Sequence, residues 1–128
     1  ALQKGLDAKG LCNCKNMTQL ARELYGEDKF MIKDYRDISS DDTYDGITCV
    51  EMIEAVPARD YPEFVDACDR ALKPGGRVSM QVINAYAFNN PVARRRDPLP
   101  LGTFVTTHIF PGQQLPNLEF LHEAFLNS

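Results

Sequence analysis

A strand–helix–strand pattern over residues 46–85 constrains the fold of this chain more than any other feature. Its first strand, Gly46 to Met52, contains the continuous apolar run Ile47–Val50, which is rich in strand-forming residues. Hydrophobicity that is continuous rather than alternating predicts a strand buried on both faces, as in a parallel sheet. Its last strand is predicted from Arg77 to Ala85.

The helix between these strands is expected to begin at Asp60. The Asp60 side chain can cap it, Glu63 completes a capping box, and Pro62 suits the first turn. Residues Lys73 to Gly76 are expected to end the helix in a tight turn. Its predicted buried stripe is Phe64, Val65, Cys68, Ala71 and Leu72.

The N-terminal part repeats this order, with strands predicted at Leu6 to Asn13 and Phe30 to Ile32. Between them, apolar residues at helical spacing form one stripe. They are Met17, Leu20, Ala21, Leu24 and Tyr25. Asn13 or Asn16 can cap this helix, and Gly26 can end it. Residues 34–42 are polar and are expected to form a loop that can include a single helical turn.

The alternation of strands and helices predicts an α/β fold with right-handed crossovers. Ligands of such sheets bind at the carboxyl ends of the strands. These ends are predicted at Cys12–Asn13, Asp34–Tyr35, Glu51–Glu54 and Gln81–Asn84.

The tail from Tyr86 differs, because it holds five of the eight prolines. We expect it to run over the surface, with helices at Thr103 to Phe110 and Asn117 to Leu126.

Composition excludes some classes of function. The net charge of −4 argues against broad nucleic-acid binding, which needs a basic surface. No apolar run is long enough to span a bilayer. Cys49 and Cys68 read as small buried hydrophobes, whereas Cys12 and Cys14 are poorly spaced for disulfides. Without C-x-x-C pairs no metal site is predicted, and a reducing, cytoplasmic compartment is expected.

Several strings resemble the cyclopropane-fatty-acyl-phospholipid synthase family of class I methyltransferases. Residues Tyr44 to Val56 resemble its fourth strand and following loop, and Leu72 to Arg77 a turn that many methyltransferases share. The more specific string is Ile109-Phe110-Pro111-Gly112, followed by Leu115-Pro116. Asp34 to Asp37 and Gly10 to Met17 match loops after two earlier strands, so the resemblance is collinear over nearly the whole chain.

The resemblance implies a partial Rossmann-like methyltransferase fold, a three-layer sandwich with a mostly parallel sheet. Residues 1–85 would form the Rossmann-like portion and residues 86–128 an extension on the lipid-substrate side. Nothing in Ala1 to Gly10 matches the family's first strand and glycine-rich loop. Because that strand lies between the second and the fourth, the remaining strand pairs should lack a central partner. We therefore expect a fragment, inactive alone, of a longer enzyme.

The resemblance also implies S-adenosylmethionine as cofactor. Cys12, Asn13 and Met17 match the loop on its ribose and methionine side, although the family usually has Thr-Leu-Ser at residues 12–14. Asn13 either bonds a ribose hydroxyl or caps the helix. Tyr35 either lies beside the adenine ring or packs as a half-buried core residue. Asp34 either accepts from the adenine amino group or stabilises its turn, and Val50 completes the predicted cofactor set.

The expected catalytic residues are Glu54, Gln81 and Ile83. In the family, the Glu54 position lies beneath the reacting methyl group and helps to hold a bicarbonate ion. The alternative is a carboxylate that stabilises a helix N-terminus. Gln81 and Ile83 match another part of the bicarbonate pocket. Glutamine donates to an anion but takes no proton at neutral pH, so Gln81 can hold the base without being the base.

The implied function is methyl transfer to an unsaturated acyl chain of a phospholipid. The alternatives are a sphingolipid C-methyltransferase, a non-catalytic methyltransferase remnant and, less favoured, a small-molecule methyltransferase. Arg94 to Arg96 either contact lipid head groups, as in a protein peripheral to a membrane, or form a solvated loop.

Overall fold

The computed structural model describes residues 2–40, 43–83, 107–108, 111 and 116–127. It divides into two compact units, Ala1–Ser39 and Ser40–Ser128. The predicted helix from Thr103 to Phe110 lies outside the described residues except at residues 107 and 108, which are π-helical. Arg94 to Arg96 also lie outside them.

The first unit contains β1 (Gly10–Cys12), α1 (Lys15–Tyr25) and β2 (Phe30–Ile32). The two strands are parallel, with Gly10 opposite Phe30 and Cys12 opposite Ile32. Glycine at position 10 makes room for the Phe30 ring, because a Cβ atom there would lie 2.5 Å from it and the ring would have to move. Gly26 ends α1 as predicted: it has φ 109°, and its N–H donates to the Arg22 carbonyl.

The start of α1 differs from the prediction. The N-cap is Cys14 rather than Asn13 or Asn16, and its side chain makes no capping hydrogen bond. Its own N–H donates instead to the Cys12 sulfur at 3.3 Å. An asparagine one or two residues from the cap position cannot reach the free amides of the first turn.

The apolar stripe of α1 is largely exposed. Met17, Leu20 and Leu24 expose 66%, 58% and 65% of their surface. The buried contact comes from a neighbouring face, where the Thr18 hydroxyl donates to the Cys12 carbonyl and the Arg22 guanidinium to the Phe30 carbonyl. Helical spacing therefore located the helix but not the face that contacts β1 and β2.

The second unit contains β3 (Tyr44–Val50), α2 (Tyr61–Ala71), β4 (Leu72–Gln81) and α3 (Leu118–Leu126). Strands β3 and β4 are parallel, with Ile47 opposite Val78. The predicted strand–helix–strand unit is therefore confirmed. β4 begins earlier than the predicted Arg77, because Leu72 still pairs with Tyr44 across a register shift. Gly75, with φ 80°, lies within that irregular stretch.

The core of the second unit lies mainly on α2. Phe64, Val65, Cys68 and Ala71 are buried as predicted, and Leu72 is half-buried. Asp60 is the N-cap residue, but its side chain makes no capping hydrogen bond, so the predicted capping box is wrong. Helix α3 begins as predicted, since the Asn117 side chain accepts from the Glu119 amide at 2.8 Å.

The prediction that β3 is buried on both faces is wrong. Of its residues only Cys49 is buried, and Val50 is 55% exposed. In the described part of the chain the strands form two sheets of two strands, β1 with β2 and β3 with β4. Parallel pairs with a helix between their strands confirm the predicted α/β, partial Rossmann-like class.

Candidate functional site

A buried carboxylate follows β3. Glu54 lies in a short 3₁₀ turn, Ile53–Ala55, and is 7% exposed. Its Oε1 atom accepts from the Ile83 backbone amide, just beyond β4, at 2.5 Å. Its Oε2 atom is buried and has no hydrogen-bond partner among the described residues. The carboxyl ends of β3 and β4 therefore hold a buried carboxylate with one oxygen fixed and the other without a partner in the described residues.

An unpaired buried carboxylate oxygen is unfavourable in a folded protein. Leaving a buried polar atom unsatisfied costs about 1–3 kcal/mol, and more for a charged group. Such atoms are few in native structures and point to a strained, catalytic or ligand-binding role. The alternative of a helix N-terminal carboxylate does not fit Glu54, because α2 begins only at Tyr61.

Glu51 and Gln81 join the same two strand ends. Glu51 has φ 48°, a left-handed backbone conformation that favours glycine. Its N–H donates to the Gln81 carbonyl at 2.9 Å, and the Gln81 side-chain amide donates to Glu51 Oε1 at 3.4 Å. Gln81 thus contacts Glu51 rather than Glu54. The sequence predicted that Glu51 lies at this edge of the sheet but indicated no role for it. The left-handed backbone conformation could not be predicted, because glutamate has no preference for it.

The two apolar candidates beside these residues are solvent-accessible. Val50 is 55% exposed and lies opposite Gln81 in the strand register. Ile83 is 54% exposed, and its backbone rather than its side chain contacts Glu54. Both apolar side chains are therefore accessible, whereas the Glu54 carboxylate itself is buried.

Asp34 lies at the end of β2 and caps the 3₁₀ turn Tyr35–Asp37. Its Oδ1 atom accepts from the Arg36 amide and guanidinium, and its Oδ2 atom from the same guanidinium at 3.0 Å. These hydrogen bonds lower the pKa of Asp34 to about 2. They support the turn-stabilising alternative, and the adenine contact stays a prediction.

The other first-unit candidates differ in accessibility. Tyr35 is half-buried, with the Arg36 guanidinium 5.4 Å from its ring centre. Cys12 is half-buried and its carbonyl accepts from the Lys33 amide, whereas Asn13 and Met17 are exposed. Cys12, Asn13, Met17, Asp34 and Tyr35 fall in the first unit, and Val50, Glu54, Gln81 and Ile83 in the second.

The cysteines in the second unit are structural. Cys49 and Cys68 are buried, as predicted. Burial raises the pKa of both thiols, that of Cys68 to about 12. A thiol that stays protonated is a poor nucleophile and metal ligand. Among the residues that the structure describes, no group of three or more His, Cys, Asp or Glu side chains could hold a metal ion.

The second unit also contains a cavity that is separate from Glu54. The cavity, of about 430 Å³, is lined by side chains of α2, β4 and α3, among them Cys68, Met80 and Phe125, and its lining does not include Glu54. Within the described ranges, no helix is long and apolar enough to cross a bilayer.

Comparison with known proteins identifies relatives along most of the chain. The family model of mycolic acid cyclopropane synthetase matches residues 11–127. Tuberculostearic acid methyltransferase UfaA1 of Mycobacterium tuberculosis is 37% identical over 86 residues, which are 67% of this chain and 18% of that protein. The ubiquinone biosynthesis O-methyltransferase of Pseudomonas aeruginosa is 33% identical over 97 residues, 67% of this chain and 40% of that protein. The ubiquinone biosynthesis O-methyltransferase of Xanthomonas oryzae is 36% identical over 75 residues, which are 53% of this chain and 30% of that protein.

The chain thus spans less than half the length of each of these relatives. The names of all three relatives state a methyl transfer, and the family match runs from within β1 to just beyond α3. The chain therefore belongs to the mycolic acid cyclopropane synthetase family.

Proposed function

We propose that the protein transfers a methyl group from S-adenosylmethionine to an unsaturated acyl chain of a lipid, as a cyclopropane-fatty-acyl-phospholipid synthase does. One observation carries the proposal: the Glu54 carboxylate is fixed through one oxygen by Ile83, while its other oxygen is buried without a partner in the described residues. Membership of the cyclopropane synthetase family and similarity to a tuberculostearic acid methyltransferase support a lipid substrate.

The chemistry needs a carboxylate of this kind. When bound, S-adenosylmethionine supplies an activated methyl group. Adding a methyl group to a cis double bond leaves a carbocation on the substrate, and loss of a proton closes the cyclopropane ring. A fixed carboxylate stabilises positive charge that develops nearby. The burial of Glu54 also excludes water, which would otherwise trap the cation.

The proposed base, which takes the proton, is a bicarbonate ion held by the same residues. Its O–H group could donate to Glu54 Oε2, which has no partner in the described part of the chain. The Gln81 amide has a second N–H beyond the one directed at Glu51, and could donate to an oxygen of the anion. Glu54 and Gln81 would therefore hold the base, with the backbone at Ile83 fixing the orientation of Glu54.

The cofactor residues form the second part of the proposal. Exposed Asn13 offers an amide to a ribose hydroxyl, and the Tyr35 ring offers a face to adenine. Arg36 lies over that ring, so a stacked adenine would use its other face or displace the guanidinium. Cys12, Met17, Asp34 and Val50 complete the proposed set. The proposed setting is cytoplasmic, with transient contact to a membrane surface.

The test uses lipid mass spectrometry on cells that express the full-length protein. We expect a gain of one methylene on unsaturated acyl chains, and its loss in Glu54→Gln, which keeps the side-chain shape and removes the charge. Glu63→Gln, on the exposed face of α2, is the matched control and should retain activity.

Other outcomes of this test would identify other functions. A methyl-branched sphingoid base would indicate a sphingolipid C-methyltransferase. Methylation of a small molecule at an oxygen atom would indicate an activity like that named for the ubiquinone biosynthesis O-methyltransferases. No methylated product from the wild-type protein, with lipid or partner binding retained, would indicate a non-catalytic module.

A further inference from the structure

Among the described residues, Glu51 is the only non-glycine residue with a left-handed backbone conformation. It lies three positions before Glu54. Its φ of 48° turns the chain at the point where β3 ends at Val50. Non-glycine residues in this conformation persist where the surrounding structure enforces them, and they cluster at functional sites.

Three hydrogen bonds tie the segment after β3 to the end of β4. The Glu51 amide donates to the Gln81 carbonyl, and the Gln81 side chain donates to Glu51 Oε1. The Ile83 amide then donates to Glu54 Oε1. The first two bonds fix where the chain leaves β3, and the third depends on the direction that the chain takes from there.

We propose that Glu51 is a positioning residue: its left-handed backbone and its hydrogen bonds to Gln81 set the turn that brings the Glu54 carboxylate to the Ile83 amide. This proposal deepens the proposed function and rests on it for the kinetic effect, but not for the structural one. Glu51 itself would contact no reacting atom. It acts by holding Glu54, and the Glu51 backbone matters more than its carboxylate.

The test compares Glu51→Gly with Glu51→Val in the full-length protein. Both remove the carboxylate, but glycine adopts a left-handed conformation freely and a β-branched valine resists it. We expect Glu51→Gly to keep kcat within about threefold of the wild type, since the backbone conformation is retained. Glu51→Val should lower kcat roughly 10²-fold with KM little changed, as displacement of a reacting group by about 1 Å does.

A double-mutant cycle separates positioning from general structural support. In a Glu54→Gln background, Glu51→Val should cost little further activity, because the group that it positions is already lost. Additive losses would overturn the proposal. Equal losses in the glycine and valine variants would also overturn it, because the backbone would then not be the cause.

A readout independent of activity is the exchange rate of the Ile83 amide with deuterium, measured by NMR. Protection should be retained in Glu51→Gly and lost in Glu51→Val, while amides in the middle of β4 stay protected in both. Unchanged Ile83 protection in Glu51→Val would overturn the proposal. If the valine variant does not fold, Glu51→Ala carries the same comparison. If the wild-type protein does not methylate lipids, the proposed function is wrong. The comparison of Ile83 amide exchange between the variants would still decide whether Glu51 positions Glu54.

Discussion

The amide of Ile83 donates a hydrogen bond to the carboxylate of Glu54, a residue 29 positions earlier in the chain. The bond joins the segments that follow two neighbouring parallel strands, which is where α/β sheets bind their ligands. It satisfies one oxygen of a buried acid and leaves the other without a partner in the described part of the protein. Substitution of Glu54 should therefore change the free energy of unfolding of the protein and its catalytic activity in opposite directions.

Replacing Glu54 by Gln should increase the free energy of unfolding by about 0.5–2 kcal/mol, the range in which single stabilising substitutions commonly fall. The amide oxygen still accepts from Ile83, and a neutral side chain loses less hydration on burial. Urea denaturation of both proteins measures the difference. A loss of more than about 1 kcal/mol would mean that the carboxylate is stabilising, against the expected cost of its unpaired oxygen.

Asp34 should titrate with a pKa of about 2, because the Arg36 guanidinium and amide stabilise its charged form. A lowered pKa in the folded protein adds stability above the unfolded pKa of about 4, and that stability is lost as the pH falls through about 2. NMR titration of the Asp34 carboxyl carbon measures this. In Arg36→Ala the pKa should return towards its ordinary value. Arg59→Ala, which removes a pair with Asp60, should leave it unchanged.

Helix α3 offers a matched pair of leucines. Leu121 is 6% exposed and Leu126 is 68% exposed. Leu121→Ala should lower the free energy of unfolding by about 2–5 kcal/mol, because a buried side chain leaves a cavity. Leu126→Ala should change it by less than about 0.5 kcal/mol. Thermal denaturation of the full-length variants compares them. Equal effects would show that Leu121 is not packed as described.

The thiols should differ in their reaction with iodoacetamide in the folded protein. Exposed Cys14 should react at pH 8, whereas buried Cys68, whose pKa is raised to about 12, should react only after denaturation. Peptide mass spectrometry locates the label, and Cys14→Ser serves as the control for its assignment. Labelling of Cys68 at the rate of Cys14 would contradict the burial of Cys68 on α2.

The sequence predicted the elements better than their surroundings. The apolar spacing of α2 identified four buried residues correctly, since helix periodicity reports directly on one face. The same reasoning on α1 found the helix, but Met17, Leu20 and Leu24 are exposed. Burial depends on what packs against a face, and local spacing carries no information about that partner. The error for β3 has the same origin, because its apolar run indicates a strand and not its neighbours.

For the candidate site, the family resemblance selected Glu54, but nothing in the sequence indicated its bond to Ile83 or the pairing of Gln81 with Glu51. These contacts connect residues about thirty positions apart, and they depend on the register of β3 with β4. The turn at Glu51 was equally hidden, because a glutamate gives no sign of a left-handed backbone. The roles in binding S-adenosylmethionine, bicarbonate and lipid stay predictions.

The parallel pairing of β3 with β4 also sets an order of assembly. Helix α2 is built from local contacts, but the two strands can align only after the whole crossover between them has closed, at a cost in chain entropy that precedes any gain from their contacts. The Ile83–Glu54 bond lies beyond the last paired residues, Val50 and Gln81, so it forms only after that alignment. The carboxylate is therefore among the last groups to reach its native position on refolding, and recovery of activity should lag behind recovery of helix content.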